Sequence, residues 1–139
     1  MKTNEELLSS LFDISRLIRQ RLFMHKCFCS LSHSEIEVLA FLQENGTSKM
    51  KTISDHLRIK PSSITPTIEK LFKKGTLKRI ADKNDRRITY IELTKNGLKE
   101  VNRIHKEIQS HIKEVFNTLN EKNKRELIKI LKIILKNHD

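Results

Sequence analysis

Apolar residues recur at three-and-four spacing along nearly the whole chain, and the period drops to two at one place, between Gly75 and Thr94. Three-and-four spacing lays an apolar stripe along a helix, whereas alternation lays an apolar face on a strand. Within the exceptional stretch, Leu77-Lys78-Arg79-Ile80 and Ile88-Thr89-Tyr90-Ile91-Glu92-Leu93 alternate around the polar Asp82-Lys83-Asn84-Asp85-Arg86. Two alternating runs about a polar turn predict a β-hairpin. The chain is therefore expected to be mainly α with a small β-hairpin inserted before its last two helices. Only three Gly and two Pro interrupt it, which suits long helices.

The remaining stripes give the element order. Leu7, Leu8, Leu11, Ile14, Ile18, Leu22 and Phe23 predict a helix from Glu5 to about Lys26. Ser32 and Glu35 have capping-box spacing and open a second helix that closes at Asn45-Gly46. After a short linker, Ile53 and Leu57 mark a small helix from about Met50 to Arg58. Pro61 suits the first position of the next helix, which ends at Gly75 and should bury Ile64, Ile68, Leu71 and Phe72. Thr94 caps a long fifth helix, and a final helix begins near Asn120. The stripe Val101, Ile104, Ile108, Ile112, Val115 and Leu119 is longer than a small domain is expected to cover, and surplus apolar helix surface implies a partner copy.

Charge narrows the partner class. Of the net +11, residues 46–97 carry thirteen Lys/Arg against five Asp/Glu, a net of +8, while residues 1–45 carry five against six, a net of −1. A localised basic block on a folded module is the footprint of a polyanion partner. No apolar stretch reaches the roughly 20 residues of a membrane span, and the start of the chain runs into an amphipathic segment instead of a signal peptide. Cys27 and Cys29, one residue apart, are too close for an ordinary structural disulfide. A soluble, cytoplasmic protein without cofactors or membrane contacts is expected. There is no Gly-rich phosphate loop, nucleophile elbow or convincing acid pair, so an enzyme is not expected.

Two short helices separated by a tight break and followed by a basic hairpin describe a winged helix-turn-helix, with residues 34–94 as the DNA-binding part and residues 1–33 and 95–139 as a helical dimerisation region. The second helix of such a unit enters the major groove. Opposite its buried stripe lie Ser62, Ser63, Pro66, Lys70 and Lys73, with Thr65 and Thr67 beside them. Small hydroxyls near the helix start allow close approach, and the lysines suit backbone phosphates. Pro66 deprives the Ser62 carbonyl of its helical bond; it is either a tolerated early-turn proline or an apolar surface for a thymine methyl. At the hairpin tip, Asp85-Arg86-Arg87 offers guanidinium groups to a narrow minor groove, with Asp85 placed to steady one of them.

The chain resembles the MarR (multiple antibiotic resistance regulator) family. The matching stretches are Ile53 to Thr65, Ile68 to Leu71, Lys74-Gly75, Leu77 to Arg79, Asp82 to Arg87, and Leu93-Thr94-Lys95-Asn96-Gly97. The resemblance implies a sequence-specific dimeric regulator, leaning towards a repressor, on a palindromic double-stranded operator. It also implies an obligate homodimer built from the N- and C-terminal helices. Asp85 and Arg87 would contact DNA through the wing, with Arg79 or Arg86 on phosphates, and a small-molecule effector would modulate binding. Pro66, where the family is often polar, and Thr76 depart from the pattern and bear on base preference.

His25, Cys27, Cys29 and His33 cluster between the first two helices with a spacing that is not a standard zinc pattern; His105, Glu107 and His111 lie on the fifth helix. Relatives that sense zinc or oxidants make a metal- or thiol-responsive regulator one alternative, and ordinary packed or exposed residues another. A nonspecific architectural nucleic-acid-binding protein would use the same basic charge.

Overall fold

A computed structural model describes residues 2–23 and 30–137. Its elements run α1 (Lys2–Phe23), α2 (His33–Asn45), β1 (Ser48–Lys49), α3 (Met50–Leu57), α4 (Pro61–Lys73), β2 (Leu77–Ala81), β3 (Thr89–Leu93), α5 (Lys95–Phe116) and α6 (Glu121–Lys136). They fall into two compact units, Met1–His25 with Ile108–Asp139, and Lys26–Glu107.

The second unit holds the core. Val38, Leu39 and Leu42 of α2 pack with Ile53 of α3, Ile64, Ile68 and Leu71 of α4, and Val101 and Ile104 of α5, all buried. Local chemistry places these helices. The Ser32 hydroxyl accepts from the Glu35 amide at 3.2 Å while the Glu35 carboxylate accepts from the Ser32 amide at 3.1 Å, a complete capping box. Such a cap contributes roughly 1 kcal/mol. Gly46, at φ 75°, ends α2 and takes the chain into β1.

The β element is larger than a hairpin. β2 and β3 pair antiparallel, Leu77 opposite Leu93 and Ala81 opposite Thr89, and β1 adds to the other edge of β3, giving the order β1-β3-β2. Ser48-Lys49, expected as a linker, is a two-residue strand because its backbone groups meet Ile91 and Tyr90.

In the first unit the helices are amphipathic, yet no residue of α1 or α6 is buried among those described. Leu7, Leu8, Leu11, Phe12 and Leu17 of α1, and Ile128, Ile130, Leu131, Ile133, Ile134 and Leu135 of α6, are exposed. Of the expected stripe, Val101 and Ile104 belong to the core of their own unit and Ile108, Ile112, Val115 and Leu119 are half-buried, while α1 and α6 also carry exposed apolar faces.

Candidate nucleic-acid interface

Helices α3 and α4 join through Arg58-Ile59-Lys60. Arg58 turns the chain at φ 53°, ψ 38°, and the Ile59 amide closes the turn on the Ser54 carbonyl at 3.0 Å. A left-handed arginine costs on the order of 1 kcal/mol, which buried Ile53 and Ser54 offset by anchoring α3. Pro61 then opens α4 at its first position, where its missing N–H breaks no bond.

Along α4, Ile64, Ile68 and Leu71 are buried, Phe72 is half-buried, and Ser62, Ser63, Thr65, Pro66, Lys70 and Lys73 are exposed; Thr67 is half-buried. The Thr65 hydroxyl donates back to the Pro61 carbonyl at 2.7 Å. Pro66 is the sixth residue of α4 and not part of its first turn. It therefore does interrupt the ladder: the Ser62 carbonyl receives no bond from position 66, at a cost that exposure to water reduces.

The exit from α4 is tightly sutured. The Thr76 amide and hydroxyl both donate to the Leu71 carbonyl, at 3.1 and 2.9 Å, with Gly75 between them at φ 73°. Across the base of the wing, the Thr94 amide donates to the Thr76 carbonyl at 3.0 Å and the Thr94 hydroxyl to the Gly75 carbonyl at 2.6 Å. The same hydroxyl accepts from the Gly97 amide at 3.0 Å and so caps α5. A Cβ at Gly97 would overlap the Thr76 carbonyl. The spacing Leu93-Thr94-Lys95-Asn96-Gly97 thus encodes a cap and a close backbone passage.

The wing tip is organised by Asp82, which the sequence reading missed. Its Oδ1 accepts from the amides of Asn84 at 2.8 Å and Asp85 at 3.0 Å, and its Oδ2 accepts from the Tyr90 hydroxyl at 3.2 Å. The two backbone N–H groups, first Asn84 and then Asp85, hold the Asp82 carboxyl below its ordinary range. Its hydrogen bond raises the Tyr90 phenol. Lys49 of β1 lies 5.8 Å from the Tyr90 ring centre. Beyond Asp82, the Asp85 carboxylate accepts from the Arg87 amide at 3.0 Å and its Nε at 3.2 Å, so Asp85 steadies Arg87 and not Arg86. The Arg87 side chain is 92% exposed, and Arg86 is exposed beside it. Asp-x-x-Asp at a polar turn was the available signal for Asp82, since Asx side chains cap their own turns.

Arg79 is placed differently from these tip residues. Its guanidinium pairs with Glu69 of α4 and lies 4.2 Å from the centre of the Phe72 ring. Of the candidate metal or thiol residues, His25, Cys27 and Cys29 lie outside the described residues. His33 pairs with Glu37 at 3.4 Å, and His105 and His111 lie on α5. Among the described residues no group of three His, Cys, Asp or Glu is arranged to hold a metal ion. No helix among them is long and apolar enough to cross a membrane.

Comparison with known proteins agrees with this geometry. The MarR family model matches residues 31–89. The chain is 30% identical over 102 residues to the HTH-type transcriptional regulator MhqR of Bacillus subtilis (strain 168), covering 73% of this chain and 70% of that one. It is 28% identical to the HTH-type transcriptional repressor IacR of Pseudomonas putida, over 72% of this chain and 60% of the relative. A MarR family protein from Bacillus stearothermophilus superposes with a TM-score of 0.86 at 16% identity, over 99% of this chain and 96% of the other. The winged helix-turn-helix, its sutured base and these similarities make the chain a member of the MarR family of HTH-type, DNA-binding transcriptional regulators.

Proposed function

We propose that this regulator binds a palindromic operator as a homodimer and acts as a repressor, with residues 34–94 as its DNA-binding module and residues 1–33 and 95–139 for dimerisation. The carrying observation is the division of α4: Ile64, Ile68 and Leu71 are buried while Ser62, Ser63, Pro66, Lys70 and Lys73 are exposed together. A helix with that division fits the major groove. Ser62, Ser63, Thr65, Pro66 and Thr67 would approach base edges, and Lys70 and Lys73 would meet phosphates. Arg86 and Arg87, the latter steadied by Asp85, would enter the minor groove. The apolar faces of α1 and α6 support a second copy, because a soluble protein rarely leaves such surfaces uncovered. The similarity to IacR, a repressor, supports the sign of regulation. Modulation by a small effector belongs to the same reading and rests on the family resemblance.

Selection of bound duplexes from a random library tests this reading. An inverted repeat with half-sites roughly 10 bp apart is the expected outcome for one dimer on one face of DNA. Equal recovery of unrelated sequences would instead mark a nonspecific architectural protein.

A further inference from the structure

Arg79 occupies a position in β2 where its side chain belongs to the inner face of the sheet. It is directly opposite Ile91, which is buried, and two residues from buried Leu77. Cross-strand partners and alternate residues share a face, so position 79 faces α4 at the rim of the core. Its guanidinium covers the half-buried Phe72 ring and meets the Glu69 carboxylate, both on the recognition helix. A planar cation stacked on an aromatic ring and paired with a carboxylate has two directional contacts to one partner element. The Glu69 carboxylate is itself unfavourable beside a surface that attracts phosphates.

We propose that Glu69 and Arg79 form a clamp that sets the wing against the recognition helix, so that both grooves are met in one register. Arg79 is then a positioning residue and not a phosphate contact. The inference rests on the reading of α4 and the wing tip as the DNA-contacting elements.

The two roles for Arg79 predict opposite signs for one substitution. Glu69→Gln removes a negative charge near DNA and would release Arg79, so a phosphate-contacting Arg79 predicts tighter binding. A clamp predicts weaker binding, by roughly fivefold, the equivalent of about 1 kcal/mol. Operator affinity of the full-length Glu69→Gln, Arg79→Gln and doubly substituted proteins should be measured across a range of salt concentrations. The expected result is loss in both single variants, no further loss in the double, and an unchanged slope of log K against log salt. Tighter binding by Glu69→Gln, or a slope reduced by about 1 in Arg79→Gln, would overturn the clamp. Amide hydrogen exchange in β2 and β3 of the DNA-free protein gives a readout independent of DNA. Faster exchange in both single variants is expected, and unchanged exchange overturns the clamp whatever DNA does. Faster exchange without any loss of affinity would instead count against the DNA-contacting reading of this surface.

Discussion

Lys74, just beyond α4, places its ammonium 2.7 Å from the carboxylate of Glu35, which is 3% exposed and caps the start of α2. The same ammonium donates to the Ser30 carbonyl at 2.5 Å. One lysine therefore ties the entry of α2 to the exit of α4. The two partners are not equivalent. Lys74→Met leaves a buried carboxylate without its cation and should destabilise by about 1–3 kcal/mol. Glu35→Gln keeps an acceptor for the Ser32 amide and leaves a lysine that reaches water, so it should cost less. Urea unfolding of both variants checks the order, and equal costs would contradict it.

Tyr90 is the one tyrosine of a chain without tryptophan, so its ionisation is visible alone in ultraviolet absorbance. The Asp82 hydrogen bond raises the Tyr90 phenol above its ordinary 10.0. In Asp82→Ala the titration should move down towards that value. Loss of the acceptor also frees the Asn84 and Asp85 amides, whose hydrogen exchange should accelerate. A tyrosine titration unaffected by the substitution would show that the contact is not maintained in solution.

The pH dependence of the tip follows from the direction of the Asp82 shift. Its folded carboxyl is depressed below 3.8, so the ordering it contributes is present above the unfolded value and is lost as pH falls through the lower folded one. Protection of the Asn84 and Asp85 amides should thus persist from neutrality to about pH 4 and vanish only below it. NMR exchange rates across that interval are the check, and loss of protection near pH 6 would point to another group.

Gly97→Ala should destabilise by about 2 kcal/mol or more, since its methyl meets a backbone carbonyl that the Thr94 bond holds in place. Thermal unfolding measures it. A neutral effect would mean that α5 and the Thr76 turn can separate without loss.

Arg87→Ala should weaken operator binding about tenfold and lower the salt slope by about 1, while stability stays within about 0.5 kcal/mol because the side chain touches little besides Asp85. Filter binding at several salt concentrations, with a thermal melt as control, tests both parts. For the proposed dimer, Leu131→Glu in α6 should shift the protein towards monomer in sedimentation without altering the β1-β3-β2 sheet.

The helices and the hairpin were legible because their signals are local. Ser32 with Glu35, Gly46, Pro61 and Gly75 each act within a few residues of themselves, as Thr94 does in capping α5, and the period change at Leu77 needs no distant partner. Strand β1 was not legible, since two residues are too few to alternate and Ser48-Lys49 becomes a strand only by meeting Ile91 and Tyr90. The Glu35–Lys74 pair joins residues 39 apart in the chain, and the Glu69–Arg79 pair depends on how β2 folds back along α4. The exposed residues of α4 followed from helix periodicity. Asp85 as the partner of a tip arginine was legible as well, because the contact to Arg87 is local, whereas the partners that hold Arg79 followed only from tertiary geometry.

The base of the wing has a consequence for variation in this molecule. Residues 71–76 and 94–97 are joined through the Leu71, Gly75 and Thr76 carbonyls, the Thr94 hydroxyl and the Gly97 passage. The tip from Asp82 to Arg87 is outboard of that seam, whereas Leu77 and Ile91 belong to the core and Arg79 is held to α4. Length and side-chain changes near the tip, from Asp82 to Arg87, can therefore accumulate without loosening α4. The chemistry of the tip can drift on its own while the frame that carries α4 stays fixed.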